Sequence, residues 1–211
     1  MENSAKKIAE YLLQIKAIKL QPSNPFTWAS GWKSPIYCDN RKTLSFPEVR
    51  SYIRDSFISL VTGLYPQAEM IAGVATGAIS HGVLVADRME LPFVYVRSGA
   101  KEHGLGNQIE GFYQEGQRVV VIEDLISTGG SSLNAVKALR EAGCVVLGMA
   151  AIFTYEFKKA SEGFAAEACP LNTLCKYSVL IETAVKTGYI TEADVETLRK
   201  WRTDPANWGV K

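Results

Sequence analysis

The apolar run Val119-Val-Val-Ile122, followed at once by Glu123-Asp124 and then by Leu125-Ile-Ser-Thr-Gly-Gly-Ser-Ser132, constrains this chain more than any other segment. Four consecutive β-branched residues suit a strand buried on both faces, as in a parallel sheet. Two carboxylates at the end of such a strand are costly unless something pairs with them. In open α/β sheets ligands gather beyond the carboxyl ends of the strands, which is where these acids fall. The hydroxyl residues and two glycines that follow stand just before a helical pattern, so backbone N–H groups could converge on a phosphate with the helix dipole behind them. Acids for hydroxyls and a loop for a phosphate together suggest a phosphorylated sugar. The loop alone would not, because any strand-to-helix connection needs turn residues.

The rest of the chain predicts an α/β fold with a central, mainly parallel sheet flanked by helices. Apolar strands are expected at 70–74, 93–96, 118–122 and 145–153, with helices at 77–88 and 131–142. Ile8, Tyr11, Leu12, Ile15 and Ile18 recur at steps of three and four, which predicts an amphipathic first helix. Residues 26–41 read as two short strands around a turn, and Phe46-Pro47 opens a second amphipathic helix. Beyond 153 come segments at 157–168, 171–177 and 178–186. A last helix is opened by Thr191-Glu-Ala-Asp194, which has capping-box spacing. Residues 1–211 are expected to form one domain, with its core mainly in 46–156 and a small hood lobe from 1–45 and part of 157–211.

Charge and composition exclude several functions. The 23 basic and 22 acidic side chains leave a formal charge of +1, with no basic stripe for nucleic acid or anionic membrane. No apolar run approaches the roughly 18 residues of a membrane span, and residues 1–10 lack a signal-peptide centre, so a cytoplasmic protein is expected. Cys38, Cys144, Cys169 and Cys175 are scattered, and only His81 and His103 could join them at a metal, so free thiols are expected. There is no G-x-x-x-x-G-K-[ST] and no G-x-G-x-x-G after the first strand, which removes the usual kinase and dinucleotide signatures. Ser80-His81 does not stand in a G-x-S-x-G elbow and reads as helix packing. Residues 97–118 lack hydrophobic periodicity and hold five glycines together with Arg97, Lys101 and His103, which marks a functional loop.

Residues 119–132 resemble the phosphoribosyl pyrophosphate (PRPP) motif of type I phosphoribosyltransferases. More narrowly, Phe26-Thr-Trp-Ala-Ser-Gly-Trp-Lys-Ser-Pro-Ile-Tyr-Cys-Asp-Asn-Arg41 and Tyr95-Val-Arg-Ser-Gly-Ala-Lys-Glu-His-Gly-Leu-Gly-Asn-Gln-Ile-Glu-Gly111 resemble the orotate phosphoribosyltransferases. The three segments follow the family's order over most of residues 26–132. The resemblance implies transfer of 5-phosphoribose from PRPP to N1 of orotate, with inversion at the anomeric carbon. The products would be orotidine 5'-phosphate and pyrophosphate, in de novo pyrimidine (UMP) biosynthesis. It implies Mg2+ as cofactor, carried mainly by PRPP and water with Asp124 as a protein ligand, and a homodimer whose catalytic loop is shared across subunits.

Carried over residue by residue, the resemblance gives Glu123 and Asp124 the ribose hydroxyls, and gives the 5-phosphate to the loop from Thr128 through Gly129, Gly130 and Ser131 to Ser132. Leu125 and Ile126 lie within the same PRPP motif, and Ser127 matches the position that meets the base. Thr76 and Gly77 fall in Gly73-Val-Ala-Thr-Gly77, which matches the pyrophosphate loop, where an unusual backbone conformation presents amides. Arg97, Lys101 and His103 match the basic residues of the mobile catalytic loop, with Asp124 the acid beside the reacting sugar. Lys33, Tyr37 and Arg41 lie in the segment near orotate, where Arg41 is a candidate for its carboxylate. Ala29 and Ser98 depart from the family, which often has Lys at both positions. A PRPP-sensing regulatory protein, or a transferase for another base, is the alternative. Trp201 and Trp208 read as packing or interface residues.

Overall fold

The computed structural model describes residues 2–28, 30–97, 99 and 108–209. The chain divides into two compact units, Met1–Val49 with Cys175–Lys211, and Arg50–Leu174. The smaller unit begins with helix α1 (Glu2–Gln14), which buries Ile8 and Leu12 and leaves Lys7 and Glu10 at the half-exposed rim. Tyr11 Oη donates to Glu48 Oε1 at 2.6 Å. Four short strands follow, β1 (Ile18–Leu20), β2 (Phe26–Thr27), β3 (Lys33–Ser34) and β4 (Ile36–Cys38).

Where two strands are expected at 26–41, there are three, in separate ladders: β2 pairs with β3, and β4 pairs antiparallel with β1. Pro35 causes the split, since it has no N–H with which to continue a ladder. The buried Ser34 hydroxyl bridges the break, donating to the Ile36 carbonyl at 2.8 Å and accepting from its N–H at 3.2 Å. A 3-10 turn, Asn40–Ser45, completes the segment.

In the larger unit the central sheet is built from β5 (Met70–Val74), β6 (Phe93–Val96), β7 (Ile109–Glu110), β8 (Arg118–Ile126), β9 (Val145–Thr154) and β10 (Leu171–Lys176). Among the described residues the order is β10-β9-β8-β5-β6-β7. Strands β6, β5, β8 and β9 run parallel, with Ile71 between Phe93 and Val120. The expected mainly parallel α/β sheet is therefore present, with β5 and β6 at the residues expected. Helices α2 (Pro47–Leu64), α3 (Ile79–Met89), α4 (Gly130–Glu141) and α5 (Lys158–Ala166) accompany it. Val119 and Val121 pack with Val136 and Leu139 of α4 and Phe164 of α5 in one buried cluster. Burying each such side chain stabilises by roughly 1.5–3 kcal/mol, so the apolar half of β8 is a rigid base for the acids that follow it.

Two expectations change. The 97–118 segment is not wholly a loop: Ile109 and Glu110 pair antiparallel with Val96 and Tyr95, burying Ile109, and two residues are too short to show a period. Strand β8 also runs on past residue 122, because β9 is ten residues long and still offers partners to Glu123, Leu125 and Ile126. The acids thus lie inside the strand, not after it.

The chain returns to the smaller unit in α6 (Tyr177–Lys186) and α7 (Glu192–Thr203). Thr191 and Asp194 form the expected capping box at the start of α7. Trp201 is fully buried, edge-on to Trp28 at 5.6 Å and tilted against Tyr177 at 5.9 Å, so its role is packing. The four cysteines are free thiols, three buried and Cys38 half-buried. Among the described residues no helix is long and apolar enough to cross a membrane.

Candidate active site

The two acids of β8 have different surroundings. Glu123 is only 4% exposed, and both of its carboxylate oxygens are held: Asp124 N–H donates to Oε1 at 2.9 Å and Ser132 Oγ to Oε2 at 2.9 Å. Burial pushes its carboxyl well above the usual range, and the neighbouring Asp124 carboxyl adds to the rise through its charge and its hydrogen bond. The two donors act in the opposite sense, favouring the ionised form.

Asp124 is half-buried and turns toward the connection between β5 and α3. A Cβ placed on Gly77 would come within 2.5 Å of the Asp124 carboxyl carbon. Only glycine allows that approach, so Gly77 is fixed by the acid it faces. The Ala75–Thr76 peptide bond just before it is cis. Ala75 N–H is anchored on the Val96 carbonyl at 2.8 Å, while the Thr76 side chain is exposed. Thr76 and Gly77 are thereby brought beside Asp124, a proximity that their separation of almost fifty residues does not reveal.

Beyond the acids, Ile126 is fully buried and its carbonyl accepts the Tyr155 N–H at 3.1 Å, so its side chain belongs to the core. Leu125, Ser127 and Thr128 are half-buried. Gly129 caps α4 in the left-handed conformation, φ 83°, and a Cβ there would stand 3.2 Å from the Phe164 ring. A glycine cap brings no side-chain oxygen to the first-turn amides, which therefore point, with the helix dipole, past exposed Gly130 and Ser131. Ser132 departs from its expected place in the phosphate loop. Its side chain is 1% exposed and its hydroxyl is turned to Glu123, a link that the sequence reading missed.

Arg97 leaves the end of β6 on the same sheet. Its N–H donates to the Gln108 carbonyl at 2.9 Å, and its Nη1 lies 3.6 Å from Glu110 Oε1. Lys101, His103, Ala29 and Ser98 lie outside the described residues. Lys33, Tyr37 and Arg41 belong to the smaller unit. There Lys33 Nζ donates to Thr27 Oγ1 at 2.8 Å, and Tyr37 is exposed with its ring 5.6 Å from that of Phe26. Arg41 Nε donates to Asp39 Oδ1 at 2.7 Å, and this hydrogen bond holds the Asp39 carboxyl below the usual carboxylate range.

Ser80 is exposed and His81 is buried on α3, so the pair is not a nucleophile and its base. Burial, with the Arg50 charge second, pushes His81 down to about 4. Among the described residues no three His, Cys, Asp or Glu side chains gather to hold a metal. Glu123 is buried with both oxygens held, but the half-buried Asp124 carboxylate fits a hard cation that keeps its waters and arrives with a phosphorylated substrate, since Mg2+ takes one or two protein carboxylates in such sites.

A sequence profile of the phosphoribosyl transferase domain matches residues 56–186, more than half of the chain. The orotate phosphoribosyltransferase of Bacteroides fragilis is 58% identical over 208 residues, covering 99% of this chain and 98% of that protein. That of Bacillus caldolyticus is 60% identical over 202 residues, covering 96% and 98%. Among solved structures, the orotate phosphoribosyltransferase of Aeropyrum pernix superposes with a TM-score of 0.76 at 27% identity, covering 87% of this chain and 99% of that one.

Proposed function

From the premise that the chain belongs to the orotate phosphoribosyltransferase family, we propose that it transfers 5-phosphoribose from PRPP to N1 of orotate, giving orotidine 5'-phosphate and pyrophosphate. The observation that carries this reading is the Asp124 carboxyl seated on Gly77. It brings the acid that would bind the sugar against the turn after β5 at the carboxyl edge of one parallel sheet, in the same unit as a glycine-capped helix. A phosphorylated sugar with a second phosphate group at its anomeric carbon has the two ends that such an arrangement would meet.

In the reaction N1 of orotate gives up its proton, to the departing pyrophosphate or to water, and attacks the anomeric carbon as the carbon–oxygen bond to pyrophosphate breaks, with inversion. Positive charge grows on the ribose and negative charge on the leaving group. The acids of β8 would fix the ribose hydroxyls and lie close to the developing cation. The amides at the start of α4 would hold the 5-phosphate, with Thr128, Gly129, Gly130 and Ser131 around it. Amides at Thr76 and Gly77 would face the pyrophosphate, and Arg97, Lys101 and His103 would supply donors to its oxygens. Asp124, with PRPP oxygens and water, would hold the Mg2+, which when bound neutralises charge on the departing pyrophosphate. Ser127 would meet the base, and Lys33, Tyr37 and Arg41 would serve orotate. The same proposal includes a cytoplasmic homodimer in which Lys101 and His103 act in the partner's site.

The test follows orotate ultraviolet absorbance with PRPP and Mg2+, with adenine, guanine, xanthine and uracil in parallel. Loss of orotate absorbance that needs PRPP and Mg2+ together, and that falls sharply in Lys101→Ala, is the expected result. Turnover of another base would replace orotate as the acceptor. PRPP binding without turnover of any base would replace the enzyme by a PRPP-sensing regulator.

A further inference from the structure

We propose that Ser132 is a positioning residue for the sugar-binding acids: its hydroxyl fixes the orientation in which the Glu123 carboxylate meets the ribose of PRPP. The inference rests on reading residues 123–131 as the PRPP site and adds to it a residue whose side chain lies outside the phosphate loop's exposed face. Glu123 is held at both oxygens, by its neighbour's N–H at 2.9 Å on Oε1 and by Ser132 Oγ at 2.9 Å on Oε2. With both ends pinned, the carboxylate cannot rotate about its last bond without losing a hydrogen bond. Of its roughly four lone pairs these two donors take one each and the Asp124 carboxyl meets another, which leaves one for a sugar hydroxyl.

Ser132 is 1% exposed and Glu123 4%, so water does not compete for the link between them. A hydroxyl has a single proton, and here it is given to Glu123, so the side chain does not donate to a phosphate. Ser132 is also the third residue of α4, directly after the exposed Gly130 and Ser131. One turn of one helix therefore turns its amides outward and its buried hydroxyl back to the acid. Recognition of the 5-phosphate and recognition of the ribose hydroxyls would thus be tied to the same turn of α4. An alanine at 132 would keep the helix and its packing but release one end of the carboxylate.

The experiment is steady-state kinetics of the full chain with PRPP and orotate varied separately, for wild type, Ser132→Ala, Ser132→Thr, Glu123→Gln and the Ser132→Ala/Glu123→Gln double variant. Releasing one end of the carboxylate lets it turn away from the ribose, which should raise the KM for PRPP roughly tenfold in Ser132→Ala. The KM for orotate should stay close to that of wild type. Ser132→Thr, which keeps the hydroxyl, should recover most of the PRPP affinity. In the Glu123→Gln background, Ser132→Ala should add little, because its effect passes through the same carboxylate. Protection of each variant against thermal unfolding by PRPP gives a second measure, which stands even for a variant of lowered stability. An unchanged KM and unchanged PRPP protection in Ser132→Ala, or fully additive losses in the double variant, would overturn the inference alone. A wild type that neither turns over orotate nor is protected by PRPP would overturn the reading beneath it, and the inference with it.

Discussion

Single residues in this molecule are set by neighbours far away in sequence. Gly77 is glycine because the Asp124 carboxyl occupies the space where a side chain would begin. Gly77→Ala must push that carboxyl aside, so PRPP turnover should fall while the fold survives. The atoms displaced are the end of a half-buried side chain, so the effect should appear as a raised KM for PRPP with little change in the melting temperature measured beside it. His81 offers a stability prediction of a different kind. Its buried ring has a value of about 4 in the folded chain against the ordinary 6.5, so the unfolded chain takes up the proton first as pH falls. Stability from this group is fully present above pH 6.5 and is lost as pH falls toward 4, by about 3 kcal/mol in all. Urea unfolding at pH 7.5 and 4.5 should therefore show a smaller difference in His81→Phe than in wild type. An equal difference in both would mean that other groups set the acid limb.

Elements declare themselves in the sequence when their own residues carry the signal. Strands β5 and β6 match their expected limits because each is an apolar run closed by turn residues, and the α7 cap is legible because its two partners are three residues apart. Thr191→Ala should remove that cap and lower the melting temperature by roughly 2–4 °C. Orotate turnover at 25 °C should be unchanged, which makes the variant a control for substitutions at the acids. Elements that depend on a partner were not legible. Strand β7 exists only because β6 offers it an edge, and β8 outlasts its apolar run only because β9 is long enough to pair with Glu123 and Leu125. The same limit applied at the site. The acids and the glycine loop were visible as a motif, but the Ser132 link to Glu123 and the seat of Asp124 on Gly77 are made across turns and strands, where spacing along the chain gives no sign of them.

At the scale of the whole molecule, the proposed chemistry asks for cations that the described sheet edge supplies only in part. Arg97 stands at the end of β6, with Glu110 3.6 Å away to share its charge. A substrate bearing a 5-phosphate and a pyrophosphate needs more positive charge than one shared arginine, and Lys101 and His103 are the nearest cationic candidates in sequence. Whether they serve their own site or a partner's can be decided by mixing two inactive chains. Lys101→Ala keeps the acid and lacks the lysine; Asp124→Ala keeps the lysine and lacks the acid. If the loop reaches across a dimer, each mixed pair holds one complete site, formed by Asp124 of the first chain and Lys101 of the second. Random reassortment makes half of the dimers mixed, so co-refolding an equal mixture should restore roughly a quarter of the wild-type rate. If each site is built within one chain, every site in the mixture lacks either its lysine or its acid, and the rate stays at the level of the separate variants. Sedimentation of the same samples shows whether the chains had paired, so a flat result from dimers would exclude the shared loop, and one from monomers would exclude the dimer itself.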